Sequence, residues 1–197
     1  MLFAKLLKNW AELLSIFFTS MDSNVLKIQL TANYKHYFWV MALSNFERMI
    51  QLSEDVFSSR TDPDQLNVNE EVMEHLQLIH PSTISEYDDG NGPVCWVLCI
   101  PTTLDLMNQF IDQKISEREL YELTPLDTKY EAIYLCSALL LEEFRGKGIA
   151  TGLAVEAVES VKADHDIKAL FMWAFSKEGE KLAQKLSGLM DLPLYKR

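Results

Sequence analysis

The stretch SALLLEEFRGKGIATGLA, residues 137–154, joins two hydrophobic patterns through a short polar turn. Its opening, Ala138-Leu139-Leu140-Leu141, is continuously apolar, as expected of a strand covered on both faces. From Ile149 onward the apolar positions fall at helical spacing. Between the two, Glu142, Glu143 and Phe144 turn the chain, and Gly146 and Gly148 flank Lys147. Lacking a Cβ, these glycines let backbone N–H groups approach a ligand with no side chain in the way. The first amides of a helix have no intrahelical partner and sit at the positive end of its dipole, so the turn suits an anion such as pyrophosphate. Arg145 and Lys147 add cationic reach.

Three anion-binding loops share a Gly-rich turn before a helix. A P-loop needs Gly, four residues, then Gly-Lys-Ser/Thr, whereas Lys147 is followed by Gly148. A dinucleotide fingerprint needs a third Gly at position 151, which is Thr, and an acidic residue ending the next strand, where Ala174 and Phe175 stand. The third is the acyl-CoA turn: Gln or Arg, any two residues, Gly, any residue, Gly or Ala, at a strand-to-helix junction. Arg145, Gly148 and Ala150 satisfy it in register, with an aromatic, Phe144, before the Arg. On these residues the chain resembles the GNAT superfamily of acyl-CoA N-acyltransferases, in motif over 137–150 and in element order from residue 21 to 197.

The resemblance implies an α+β (mixed α/β) fold: a central mixed, mostly antiparallel sheet flanked by helices, with an extra N-terminal amphipathic helix and a helical insert before the cofactor-binding strand. It implies acetyl-CoA or another acyl-CoA as co-substrate, with no metal. The amine acceptor would attack the thioester directly, without a covalent enzyme intermediate. Ala138, Leu139 and Leu140 would present their backbone to the pantetheine arm, and an amide near Leu140 would polarise the carbonyl. Arg145, Gly146, Lys147, Gly148, Ile149 and Ala150 would hold the pyrophosphate. Further on, the family has Asn, two residues, a small residue, three residues and Tyr, where this chain has Ser176, Gly179 and Ala183. Ser176 can cap its helix and offer a hydroxyl to the cofactor. Ala183 cannot protonate a leaving thiolate as the family's Tyr does, so the general acid is unassigned.

Candidate proton acceptors on the cofactor strand are Glu131 and Tyr134, each with a plainer reading, Glu131 as a solvated strand end and Tyr134 as core. His36, His75, His80 and His165 all fall on predicted surface helices or loops, and Cys136 has no evident paired base. An alternative function is a non-catalytic CoA-binding sensor or interaction module.

Working outward, residues 25–31 alternate as a half-buried strand, 37–57 carry a helical stripe, and Asn69 caps a helix that ends before Pro81. Residues 82–87 and 94–100 form a hairpin across Asp88-Asp89-Gly90-Asn91-Gly92. One or two helices occupy 101–125, where Asp105, Asp112, Glu117, Glu119 and Glu122 offer a surface for a cationic acceptor. Then come a strand at 131–141, a helix at 149–162, a strand at 168–175, a helix at 178–186 and an edge strand at 192–195.

Residues 1–20 form an amphipathic helical extension, and 21–197 the domain. Lys5, Lys8 and Glu12 break every apolar run in the extension before it reaches the length of a signal core or a membrane span. That helix is expected to pack on its own domain or to form a homodimer; its weakly basic polar face makes a membrane an unfavoured partner. The 29 acidic and 18 basic side chains give a formal charge of −11, which repels nucleic acid and either serves solubility or favours a cationic small-molecule or peptide amine. Cys95, Cys99 and Cys136 form neither a disulfide framework nor a zinc spacing and read as core, which fits a reducing, cytoplasmic location.

Overall fold

Capping residues and turn chemistry set where several elements begin. The computed structural model describes residues 43–56 and 64–197. The helical extension at 1–20, the strand at 25–31 and the start of the helical stripe at 37–42 lie outside the described residues. Helix α1 (Asn45–Val56) starts later than the stripe suggests, because a reciprocal cap stands at its head. Ser44 Oγ accepts from Glu47 N at 3.3 Å and Glu47 Oε2 accepts from Ser44 N at 2.8 Å. Helix α2 (Glu70–Ile79) begins at the predicted cap, Asn69 Oδ1 accepting from Val72 N at 2.9 Å.

The hairpin forms as β1 (Ile84–Asp88) and β2 (Pro93–Thr102). Asp88 Oδ1 accepts from Gly90 N and Gly92 N at 2.6 and 3.1 Å, which closes the turn. The insert resolves into α3 (Leu104–Ile111) and α4 (Glu117–Leu123), capped by Thr103 and Ser116. The remaining elements are β3 (Ala132–Leu140), α5 (Ile149–Asp164), β4 (Ala169–Met172), α6 (Lys177–Met190) and β5 (Leu194–Lys196). A short 3-10 turn, Glu142–Phe144, separates β3 from α5.

The five strands lie in the order β1-β2-β3-β4-β5. β1, β2 and β3 pair antiparallel, whereas β4 and β5 join parallel. This is the expected mixed α/β architecture, with six helices among the described residues and the helical insert directly ahead of β3. On β2, Cys95 and Val97 join the larger core cluster, to which α5 contributes Leu153, Ala154, Ala157, Val158 and Val161. Val94 and Trp96 alternate to the other face, where Met49 and Leu52 of α1 cover them together with Leu139 and Leu141.

Two expectations about the strands change. The doubly covered part of β3 is its first half, Ala132 to Tyr134, while Ala138 is exposed. β4 ends at Met172 instead of reaching residue 175. Both have one cause: only Ala132, Ile133 and Tyr134 pair with β4, after which the two parallel strands part. His80, expected at the surface, is also buried, since it closes α2 over the end of α5. Its Nδ1 accepts from Ser82 N at 3.1 Å, and its Nε2 faces Asp164 Oδ2 at 3.2 Å.

Candidate functional site

The parting of β3 and β4 makes the site. Residues 135–140 pair with β2 on one side, and among the described residues no strand pairs with their other side. The register with β2 shifts between Leu98, opposite Ser137, and Cys99, opposite Leu135, so Cys136 is an extra residue on β3. Such a bulge bends its strand and re-aims the edge. The result is a row of backbone N–H and C=O groups along the wall of a cleft of about 880 Å³. Residues 135–140 form one wall; Trp173, Phe175 and the first turns of α6 face them.

At one end the cleft reaches Arg145, Gly146 and Ala150. Gly146 and Gly148 have φ of +77° and +80°, in the left-handed region that glycine tolerates best. A Cβ added at either would meet nothing within 4 Å, so the space above the turn is open to a ligand. Gly148 is the N-cap of α5, and the first intrahelical bond runs from Gly152 N to Gly148 O at 2.9 Å. The N–H groups of Ile149, Ala150 and Thr151 therefore precede the helix's own ladder. Lys147 Nζ lies 4.8 Å from the centre of the Phe144 ring. Arg48 of α1 holds the turn from outside through Glu143 at 2.6 Å, which draws the Glu143 carboxyl below its ordinary pKa.

The predicted binding residues thus come together: Ala138, Leu139, Leu140, Arg145, Gly146 and Ala150 line the cleft, and Lys147, Gly148 and Ile149 complete its turn. Ser176 lines the opposite wall and caps α6, its Oγ accepting from Gly179 N at 3.0 Å. Buried Ala183 follows two turns on, with no hydroxyl to offer.

The two predicted proton acceptors are placed differently. Glu131 stands ahead of β3, away from the parted stretch, where its carboxylate pairs with Lys168 Nζ at 2.5 Å. Tyr134 is fully buried just before the parting, and its hydroxyl donates to Glu117 Oε1 at 2.7 Å. Burial, with Cys136 and Glu117 nearby, pushes the phenol well above its ordinary pKa, so it donates and does not ionise near neutrality.

Glu117 is the residue whose place the sequence did not reveal. It is the one buried acidic side chain among the described residues, 6% exposed. Its Oε1 also accepts from Cys136 Sγ at 3.4 Å, and its Oε2 from Leu66 N at 2.8 Å. Cys136, read as core, is half-buried and lines the cleft. A signal for Glu117 was present: it stands three and four residues before Leu120 and Tyr121, on the buried stripe of α4. Asp105, Asp112, Glu119 and Glu122 are exposed on the insert and do not line the cleft. Among the described residues no group of three or more His, Cys, Asp or Glu is placed to hold a metal ion, and no helix is long and apolar enough to cross a membrane.

No protein-family model and no curated protein matches the chain. Among solved structures, it is similar to the ribosomal-protein-alanine N-acetyltransferase from Brucella melitensis biovar Abortus 2308, at 15% identity and a TM-score of 0.40 over 72% of this chain and 83% of that one. It is similar also to a tetramutant of the BH1408 protein from Bacillus halodurans, at 15% identity and a TM-score of 0.40 over 74% and 85%. At that distance the likeness concerns the fold alone.

Proposed function

We propose that the protein transfers an acetyl or other acyl group from acyl-CoA to an amine. The observation that carries the reading is the edge of β3 that no strand pairs among the described residues, ending at a glycine-rich helix N-terminal turn. An extended ligand with amides can add to such an edge as a further strand. The turn beyond it, with free helix N-terminal amides, Arg145 and Lys147, favours a phosphate at that ligand's end. The pantetheine arm of CoA has two amides and ends in a pyrophosphate, so one molecule meets both requirements. The protein would then contribute proximity, polarisation of the thioester carbonyl by an edge amide, and removal of the amine's proton.

Thermal unfolding with CoA and acetyl-CoA tests the binding step. A ligand that binds only the native state raises the melting temperature, by about 2.7 kcal/mol of stability at a hundredfold excess over Kd. Gly148→Trp, filling the open space above the turn, should remove that shift. Absence of any shift in the wild type would sink the reading.

A second reading, a CoA-binding module without turnover, is favoured by one observation: Ala183 offers no hydroxyl to protonate the departing thiolate. Thiol release in the presence of amines separates the two.

A further inference from the structure

We infer that Cys136 and Glu117 form a proton-accepting pair at the acyl end of the cleft, with Glu117 taking the acceptor's proton through the Cys136 thiol. This rests on the acyl-CoA reading. With phosphates at the Gly146–Gly148 turn, the pantetheine arm runs along β3 from Leu140 back toward Cys136, about 13 Å of strand at roughly 3.3 Å per residue. The thioester then lies beside the bulge and not near the Leu140 amide that the resemblance suggested, and Cys136, the extra residue there, lines the cleft.

Behind the thiol stands a carboxylate whose burial is costly unless it is well satisfied. Three donors hold it, two from β3 and one from the chain ahead of α2: the Tyr134 hydroxyl, the Cys136 thiol and the Leu66 amide. A fold needing only an apolar filler beside Leu120 and Tyr121 has no use for a charge at this point. Placed one thiol away from the cleft, the charge has a use in proton removal.

In the step, the neutral amine nitrogen forms its bond to the thioester carbon and must lose a proton. That proton passes to Cys136 Sγ as the thiol's own proton moves to Glu117 Oε1. The carbon–sulfur bond breaks, and CoA leaves with the electron pair and is protonated by solvent. Cys136 ends as it began, and no acyl-cysteine forms. Burial, reinforced by the adjoining carboxylate, holds the thiol well above its ordinary pKa, consistent with a relay and not with a thiolate nucleophile. Tyr134 is a positioning residue that fixes Oε1.

Two measurements on the full chain test this. A photoreactive diazirine acyl-CoA, whose carbene inserts into groups within reach of its acyl end whatever their ionisation, should give its main adduct at Cys136, blocked by CoA. Acetyl transfer to a panel of probe amines (spermidine, tyramine, a lysine peptide) should fall about a hundredfold in kcat for Glu117→Gln and for Cys136→Ala. Cys136→Ser, which restores a hydrogen-bearing relay atom, should recover at least about tenfold over Cys136→Ala. The melting shift given by CoA should persist in all three variants, separating the loss from misfolding. Turnover of Cys136→Ala at the wild-type rate, or a main adduct elsewhere, overturns the inference while leaving CoA binding intact. A wild type that binds CoA yet acetylates no probe amine also overturns it; a wild type that does not bind CoA overturns the acyl-CoA reading itself.

Discussion

At the scale of single residues, burial decides chemistry more than residue type does. Tyr134 and Cys136 are two residues apart on β3, and both face Glu117. Removing the Tyr134 hydroxyl by Tyr134→Phe takes one donor from a buried carboxylate and should cost about 2 kcal/mol in urea unfolding, the usual range for a hydrogen bond to a charged group. The other two cysteines are buried in the core, Cys99 also bordering the cleft. Burial pushes Cys95 up to about 11 and Cys99 up to about 12. A thiol reagent at pH 8 should therefore leave both unlabelled in the native protein and reach them only after unfolding, read by peptide mapping. Gly148 shows a different residue-level control: its φ of +80° disfavours any side chain although nothing stands in the way of a Cβ. Gly148→Ala should cost about 1 kcal/mol of stability by thermal unfolding.

At the scale of elements, the chain reads well wherever a local signal exists. Asn69, Thr103, Ser116 and Ser176 each cap a helix with their own side chains. The Asp88–Gly92 turn joins the hairpin where its Gly and Asx residues stand. What local pattern could not show is where β3 loses β4. Apolar residues continue past Met172 into Trp173, Ala174 and Phe175, so period and composition extend the strand, whereas pairing ends it. Contacts between elements also give a pH effect with a definite sign. The Arg48–Glu143 pair ties α1 to the turn before α5, and its carboxyl is drawn below the ordinary value of about 4.3. The folded state thus releases that proton more readily than the unfolded chain. The contribution is complete above the ordinary carboxylate range and is lost as pH falls through the lowered value. Measured as the melting-temperature difference between wild type and Glu143→Gln, it should be present near neutrality and vanish in strong acid.

At the scale of the whole molecule, charge and site have opposite signs. A chain with formal charge −11 carries its proposed phosphate turn between Arg145 and Lys147. Because those side chains act partly through solvent, added salt should weaken CoA binding; the melting shift should shrink steadily between about 0.05 and 0.5 M NaCl, as the Debye length falls below the reach of the cations. A shift insensitive to salt would place the binding energy in the backbone amides and the strand edge instead. The same net charge disfavours a nucleic-acid partner, and a filter-binding assay with duplex DNA should show no retention.

The sequence by itself determined the mixed α/β class, the caps, the hairpin and the Gly-rich turn, because each depends on neighbours within a few positions: a hydroxyl three residues from an amide, a glycine where φ is positive. Most of the predicted cofactor contacts follow from that turn and the strand before it. Only the tertiary structure decided that β3 opens after Tyr134, that Cys136 bulges into the cleft, and that Glu117 is drawn from an exposed-looking acidic helix into contact with both. Those facts depend on residues 17 or more positions apart meeting in the interior. The helical stripe aligned Glu117 with Leu120 and Tyr121, but no local pattern showed that Tyr134 and Cys136 would meet it.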